Sequence, residues 1–268
     1  MKIAAVQMIS GPEVAPNLAT AARLVGTAAA AGARLVALPE YFPLIGADDA
    51  TRRAARELPD EGPIQAFLAE TARKHGVWLV GGSIPLAARD PDKLLNSCLV
   101  FDDQGRRVAR YDKIHLFGFT KGEERYDEAA TIEAGDKVVT FDAPLGPHSL
   151  RIGLAICYDL RFPELFRAMS AVDLLVVPAA FTETTGRAHW EVLLRARAIE
   201  NQCYLLAAAQ GGQHPTGRMT HGNSMILDPW GDSLARMDKG EGVIVAELDP
   251  ARIAEVRGSL PALTHRKL

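Results

Sequence analysis

Ser149–Arg167 reads S-L-R-I-G-L-A-I-C-Y-D-L-R-F-P-E-L-F-R, and how this stretch folds decides the rest of the chain. Leu150, Ile152, Leu154 and Ile156 alternate with smaller or polar residues, the period-two pattern of a half-buried strand. The run stops at Cys157. Pro163 then opens a helical pattern, Pro163–Ser170, at the position where a ring-locked φ and a missing N–H cost a helix least. Cys157 is therefore expected at the tip of a strand, before a sharp turn into a helix. A nucleophile placed there has its sulfur at the sheet edge, with free backbone N–H groups beside it. An isolated cysteine is more often a buried structural thiol. Asp159, Arg161 and Glu164 directly after it point the other way, because a core cysteine rarely ends its strand in charge.

Outward from this stretch the chain alternates strand and helix patterns. Strands are expected at Ile3–Met8, Leu35–Leu38, Val77–Gly82, Ser97–Phe101, Arg107–Tyr111, Val138–Phe141, Leu150–Cys157, Leu174–Val177, Cys203–Ala208, Ser224–Leu227 and Gly242–Leu248. Helices are expected at Asn17–Ala31 (capped by Asn17), Thr51–Arg56, Pro63–Gly76, Pro163–Ser170, Ala188–Asn201 and Pro250–Arg257. Gly118–Gly135 reads as a long polar loop with a function. The two halves echo each other: Leu35–Pro39 resembles Leu174–Pro178, Val77–Val80 resembles Cys203–Leu206, and Asn96–Asp102 resembles Asn223–Asp228. Several matches in one order indicate an internal pseudo-repeat. Two mixed sheets, each with helices on one face and stacked face to face, make a four-layer α-β-β-α sandwich. With no low-complexity linker, residues 1–268 are expected to form one domain.

Composition narrows the function. The 268 residues are 48% apolar, enough for a sizeable core, and the formal net charge of −3 gives no footing for nucleic acid or an anionic membrane. No apolar run is long enough to cross a bilayer, and M-K-I-A-A-V-Q-M reads as a first strand rather than a signal peptide. Three cysteines, Cys98, Cys157 and Cys203, without C-x-x-C spacing argue against a disulfide framework or a zinc site. A reducing, cytoplasmic location is expected.

Four residues suit hydrolysis of an unactivated C–N bond. Taken singly, Glu40 at a strand end, Lys113 after a strand and Glu128 in the polar loop are ordinary solvated charges. Together with Cys157 they can meet at one rim of the sandwich. A thiol nucleophile needs a base, which a carboxylate shielded from water can be. A tetrahedral intermediate needs donors where its negative charge develops, available from Lys113 and the Tyr158 backbone N–H. Glu128 would balance the lysine that otherwise weakens Glu40 as a base.

L-P-E-Y-F (Leu38–Phe42), Y-D-K-I-H-L-F (Tyr111–Phe117) and C-Y-D-L-R-F-P-E-L-F-R (Cys157–Arg167) resemble the three motifs of the nitrilase superfamily of carbon–nitrogen hydrolases. H-W-E-V-L-L-R-A-R-A-I-E-N-Q-C-Y (His189–Tyr204) and G-N-S-M-I-L-D-P-W-G (Gly222–Gly231) extend the resemblance over nearly the whole chain. It implies Glu40 as general base, Lys113 as oxyanion-stabilising lysine, Cys157 as nucleophile, the α-β-β-α sandwich, dimerisation through the helical layers, and no metal or organic cofactor. Glu128 falls where the family's second glutamate is expected; Glu123 and Glu124 are its alternatives, because 118–127 departs from the family pattern. C-Y-D-L-R-F is most similar to the omega-amidase and deaminated-glutathione amidase branch. That implies hydrolysis of a small carboxylate-bearing amide to acid and ammonia through a cysteine thioester. A nitrilase or N-carbamoyl-amino-acid hydrolase would use the same residues, and a non-catalytic interaction protein would keep the fold alone.

An anionic substrate needs a cation beyond the reacting carbonyl, and Arg161 leads Lys121, Arg125 and Arg187 for closeness to Cys157. Arg161 could instead pin the turn to Asp159 or Glu164. His115, His189 and His221 lack metal-ligand spacing, though His115 could pair with the cysteine. Arg195, Arg197 and Glu200 read as salt-bridge residues of a helix.

Overall fold

The structure is a computed structural model describing residues 1–46, 48–146 and 148–267. In chain order the elements are β1 (Lys2–Gln7), α1 (Val14–Ala30), β2 (Ala33–Ala37), α2 (Asp49–Ala54), α3 (Pro63–His75), β3 (Trp78–Val80), β4 (Ile84–Ala87), β5 (Leu94–Phe101) and β6 (Arg107–Asp112). They continue with β7 (Gly118–Lys121), β8 (Glu124–Asp127), β9 (Thr140–Leu145), β10 (His148–Leu154), α4 (Pro163–Ala168), β11 (Leu174–Ala179) and α5 (Glu183–Asn201). The chain closes with β12 (Tyr204–Ala209), β13 (Met225–Leu227), β14 (Ser233–Arg236), β15 (Gly242–Glu247) and α6 (Pro250–Ser259).

The pseudo-repeat is written in the pairing. One sheet runs β15-β1-β2-β3-β5, with β4 beside β3 along one edge of β5 and β6 on its other edge. The second runs β9-β10-β11-β12-β13-β14. From β15 to β6 the neighbours pair antiparallel, parallel, parallel, antiparallel and antiparallel. From β9 to β14 the succession is the same. The segments that resemble each other in sequence, at β2 and β11, β3 and β12, β5 and β13, hold equivalent places.

Side-chain alternation builds the layers. Ile3, Ala5, Leu35, Ala37, Val80 and Val100 face the second sheet and share one core with Ile152, Leu154, Val176 and Leu206. Their neighbours Ala4, Val6, Val36, Leu79 and Leu99 face away, against Leu24 and Val25 of α1 and Ile64 and Leu68 of α3. On the far side, Leu165 and Phe166 of α4 and Trp190 and Leu194 of α5 cover the second sheet. The result is the four-layer α-β-β-α sandwich. None of the described helices is long and apolar enough to cross a membrane.

Some local expectations fail for identifiable reasons. Asn17 does not cap α1, which starts at Val14 behind Glu13. Its buried side chain instead takes the Gly11 N–H and donates to the Gly11 and Pro43 carbonyls, closing the loop after β1. The stretch 118–135 is not irregular: β7 and β8 form a hairpin turned at Gly122, whose φ of 60° fits the turn. Helix α5 begins at Glu183 rather than Ala188. Thr182 caps it, and the early Gly186 is no breaker, since a Cβ there would lie 2.3 Å from the His221 side chain. The short strands β4 and β14 have too little pattern to be seen. The strand Val138–Phe141 is displaced to Thr140–Leu145, and β10 ends at Leu154, so Cys157 begins a 3-10 turn instead of capping a strand.

Cys98 in β5 and Cys203 just before β12 are fully buried, and burial pushes both thiols up, Cys203 to about 12. Cys98→Ala and Cys203→Ala should each cost about 0.5–3 kcal/mol of stability as core truncations. Urea unfolding measures the loss, and turnover per folded molecule should stay near wild type. A thiol essential to turnover at either position would contradict this reading.

Candidate active site

Glu40, Lys113, Glu128 and Cys157 converge at one rim of the sandwich, where β2, β6, β8 and β10 end. Lys113 is 1% exposed and lies between two carboxylates: its Nζ donates to Glu40 Oε1 at 2.9 Å and to Glu128 Oε2 and Oε1 at 2.8 and 3.1 Å. Glu40, also 1% exposed, receives further bonds from Asn96 Nδ2 at 3.0 Å and the Ala180 N–H at 2.9 Å. Glu128 is fixed by the Phe117 N–H at 2.7 Å and the Tyr41 hydroxyl at 2.8 Å. Glu123 is exposed at the hairpin turn and Glu124 accepts from Thr184, so neither belongs to the site.

Cys157 adopts φ 50°, a left-handed conformation that a residue with a Cβ rarely takes. Asp159 maintains it. This fully buried carboxylate takes the Ile156 N–H at 2.8 Å and the Tyr111 hydroxyl at 2.7 Å on one oxygen. Its other oxygen meets the His115 N–H at 3.0 Å and His115 Nδ1 at 2.7 Å. Residues on both sides of Lys113 are thereby tied to the turn that carries the thiol. His115 is engaged by Asp159 and stacked on Phe162 at 3.7 Å, which leaves it no place as a partner of Cys157. Among the described residues the Tyr158 N–H donates to no other group, so it is free to meet a ligand.

Charge sets the acidities. Burial, together with the negative charge of Glu40, outweighs Lys113 and holds the Cys157 thiol well above its ordinary value, so it is protonated at rest. Burial opposes the Lys113 ammonium, yet Glu128 and Glu40 overcome it and raise its pKa. Burial likewise opposes the Glu128 carboxylate, and the Lys113 charge and the bonds from Lys113, Phe117 and Tyr41 lower its pKa nonetheless.

A cavity opens over the thiol, lined by Cys157, Tyr158, Arg161, Phe117, Phe181 and Thr182 among others. The Arg161 guanidinium carbon lies 5.7 Å from the Tyr158 ring centroid and 5.5 Å from that of Phe181, and its Nη1 is 3.2 Å from His189 Nδ1. It pins neither Asp159 nor Glu164 among the described residues. Lys121 is exposed on the hairpin, and Arg187 is paired with Glu183 along α5. Arg197 braces the Leu160 carbonyl and Glu200, and Arg195 pairs with Glu191. Asn96 and Tyr41 went unread as site residues. Asn96 had a signal, a polar residue opening a buried strand in the repeated N-S segment; Tyr41 had only its place beside Glu40.

A buried carboxylate–lysine–carboxylate array thus lies beside a cysteine at the rim of two stacked mixed sheets. The carbon-nitrogen hydrolase family model matches residues 2–258, and the chain belongs to that family. Deaminated glutathione amidase of Yersinia enterocolitica is 40% identical, over 99% of this chain and 92% of its own. Omega-amidase NIT2-A of Xenopus laevis is 38% identical, over 99% and 95%. The C. elegans NitFhit protein superposes with a TM-score of 0.86 at 38% identity, covering 99% of this chain, which spans 65% of that longer one. A mutant amidase of Nesterenkonia sp. AN1, with acrylamide added at its active-site cysteine, superposes with a TM-score of 0.77 at 26% identity, covering 97% and 98%.

Because the folded Glu128 carboxyl is held below its ordinary value, its contribution to stability is present above that value and lost as pH falls through the lowered pKa. Tyr41→Phe removes one donor to the carboxylate, so the acid loss of stability should begin at a higher pH than in wild type. Melting temperatures between about pH 7 and about pH 3 check this. Superimposable acid limbs would show that the phenol does not hold Glu128.

Proposed function

We propose that the chain is an amidase that hydrolyses a small carboxylate-bearing amide, R-CO-NH2 + H2O → R-COO⁻ + NH4⁺, through a thioester on Cys157. The observation that carries this reading is the Lys113 ammonium buried between Glu40 and Glu128 beside a protonated thiol. As the sulfur attacks the carbonyl carbon, its proton passes to Glu40. The oxyanion is met by the Lys113 ammonium and the free Tyr158 N–H. Collapse breaks the C–N bond, and the departing nitrogen takes the proton from Glu40. Glu40 then removes a proton from water, which attacks the thioester and releases the acid; the thiolate recovers its proton from Glu40. The names of the amidase relatives support the reaction class, and the adduct on the neighbour's active-site cysteine supports the nucleophile. Arg161 supports an anionic acyl group: it lines the thiol cavity, sits by the Tyr158 and Phe181 rings, and has no carboxylate partner among the described residues.

Cys157→Ala should abolish ammonia release with the fold intact, and wild type should carry an acyl adduct visible by intact mass. Turnover near wild type in Cys157→Ala would end the thiol mechanism. Glu40→Gln should slow acylation and deacylation by about 10²-fold or more. Lys113→Met should cost about 2.7–4 kcal/mol of transition-state stabilisation. It also leaves two buried carboxylates facing each other, which lowers stability by about 3–5 kcal/mol, so rates must be expressed per folded molecule. Ammonia release across amides, nitriles and carbamoyl compounds separates an amidase from a nitrilase or carbamoyl hydrolase.

The outer helical layer further supports self-association. Val192 and Ile199 of α5 are 69% and 49% exposed, and Trp230, next to the Gly231 that lies by Ile199, is 51% exposed. Val192→Glu combined with Ile199→Glu should shift the sedimenting species from dimer to monomer; a wild type that sediments as a monomer removes this part of the proposal.

A further inference from the structure

The two groups that meet the oxyanion in the proposed reaction come from different halves of the fold. Lys113 follows β6 at the edge of the first sheet, and Tyr158 lies in the turn after β10 of the second. The sheets meet through apolar side chains. Such contact is non-directional, so it sets their separation better than their register. An oxyanion is stabilised well only when each donor lies about 2.7–3.1 Å from it. A misplacement of about 1 Å can cost about 10²-fold in rate. Directional bonds between the two segments are therefore needed.

Asp159 supplies them. Among the described residues, every hydrogen bond between 111–117 and 155–162 ends on its carboxylate. The Tyr111 hydroxyl, on one side of Lys113, reaches Oδ2 at 2.7 Å. The His115 N–H and Nδ1, on the other side, reach Oδ1 at 3.0 and 2.7 Å. Toward its own turn Asp159 bonds reciprocally with Ile156. The Ile156 N–H donates to Oδ2 at 2.8 Å, and the Asp159 N–H donates to the Ile156 carbonyl at 3.1 Å. That closed loop encloses Cys157, at φ 50°, and Tyr158, so the direction of the Tyr158 N–H is set by it. Asp159 and Tyr111 are fully buried, where hydrogen bonds are strengthened by the low dielectric.

We propose that Asp159 is a positioning residue that fixes the spacing of Lys113 and the Tyr158 N–H, and so assembles the oxyanion site from the two halves of the fold. This rests on the amidase reading above and deepens it. The role acts on the transition state. A bound acid or amide carries no oxyanion and gains little from the spacing, whereas the tetrahedral state depends on it.

An aldehyde in place of the amide reports on the same site without turnover. The Cys157 sulfur adds to its carbon as the C=O π bond opens, the thiol proton ends on the oxygen, and that oxygen occupies the oxyanion position. Three probes share one five-carbon acid chain: the monoamide, the aldehyde and the diacid product. Tyr111→Phe is the decisive variant, since it keeps the ring and leaves Asp159 its other partners. Per folded molecule, its kcat for ammonia release should fall about tenfold with KM unchanged. Its calorimetric affinity for the aldehyde should fall about tenfold while that for the diacid stays the same. Asp159→Asn turns an amide NH2 toward N–H donors and should lose about 10²-fold in both kcat and aldehyde affinity; if it does not fold, Tyr111→Phe decides alone. A merely structural tie predicts a lower melting temperature, with kcat and the aldehyde-to-diacid affinity ratio near wild type. That result in Tyr111→Phe would overturn the proposal, as would equal losses for aldehyde and diacid. A wild type that binds the aldehyde but releases no ammonia would count against the amidase reading, while the affinity ratio still judges Asp159. A wild type that binds no aldehyde would overturn the oxyanion site itself.

Discussion

The structure depends on one buried cation. Lys113 is withdrawn from water, and a lone ammonium there would lose its proton. Two carboxylates beside each other would, without the lysine, resist ionising together. Each group is tolerable only because the other two are present, with Asn96, Tyr41 and the Ala180 and Phe117 N–H groups filling the remaining carboxylate positions. Breaking such an array is costly because it strands charge. The ends of β2, β6 and β8 and the turn after β10 are therefore not free to drift, and the rim is as fixed as the core below it.

The array is assembled across the internal repeat. Glu40 and Lys113 come from the first half and Cys157 from the second. The segments that follow matching strands have diverged in use. Cys157 follows β10 as Ser10 follows β1, yet Ser10 is a buried structural link whose hydroxyl bonds the Phe42 carbonyl and the Gln210 amide. Gln210 closes the loop between the halves by donating to the Glu40 carbonyl. Two similar sheets thus provide matching ends, and the side chains placed there decide which end carries chemistry and which holds the other in place.

What the sequence showed follows from the range of each interaction. Strand and helix patterns are local, so the layers, the repeat and the meeting of Glu40, Lys113 and Cys157 could be read from it. The hydrogen bond from Tyr41 to Glu128 joins residues far apart in the chain and leaves no periodic trace. The left-handed φ of Cys157 is imposed by Asp159, itself held by Tyr111 and His115 from another strand end. Asn17 failed as a cap for a similar reason: a residue with good local chemistry was claimed by a tertiary partner, Pro43. The hairpin at 118–127 was hidden because its one apolar face consists of a single cross-strand pair, Phe119 and Tyr126, too little to show as alternation.

The protonation of Cys157 bears on how the proposed chemistry is switched on. In many thiol enzymes a neighbouring cation lowers the thiol pKa and the nucleophile waits as thiolate. Here the neighbouring cation, Lys113, is neutralised by Glu40 and Glu128, and the net field at the sulfur, with burial, favours the neutral thiol. A preformed thiolate is therefore disfavoured, and proton transfer must accompany attack. In the proposed chemistry Glu40, whose charge acts on the Cys157 thiol, takes that proton. The same neutrality makes the resting thiol a poor target for oxidants and adventitious electrophiles. In the proposed mechanism, reactivity is then confined to substrates whose developing oxyanion draws the Lys113 and Tyr158 donors, so that the interaction securing the fold at this rim would also limit what the thiol attacks.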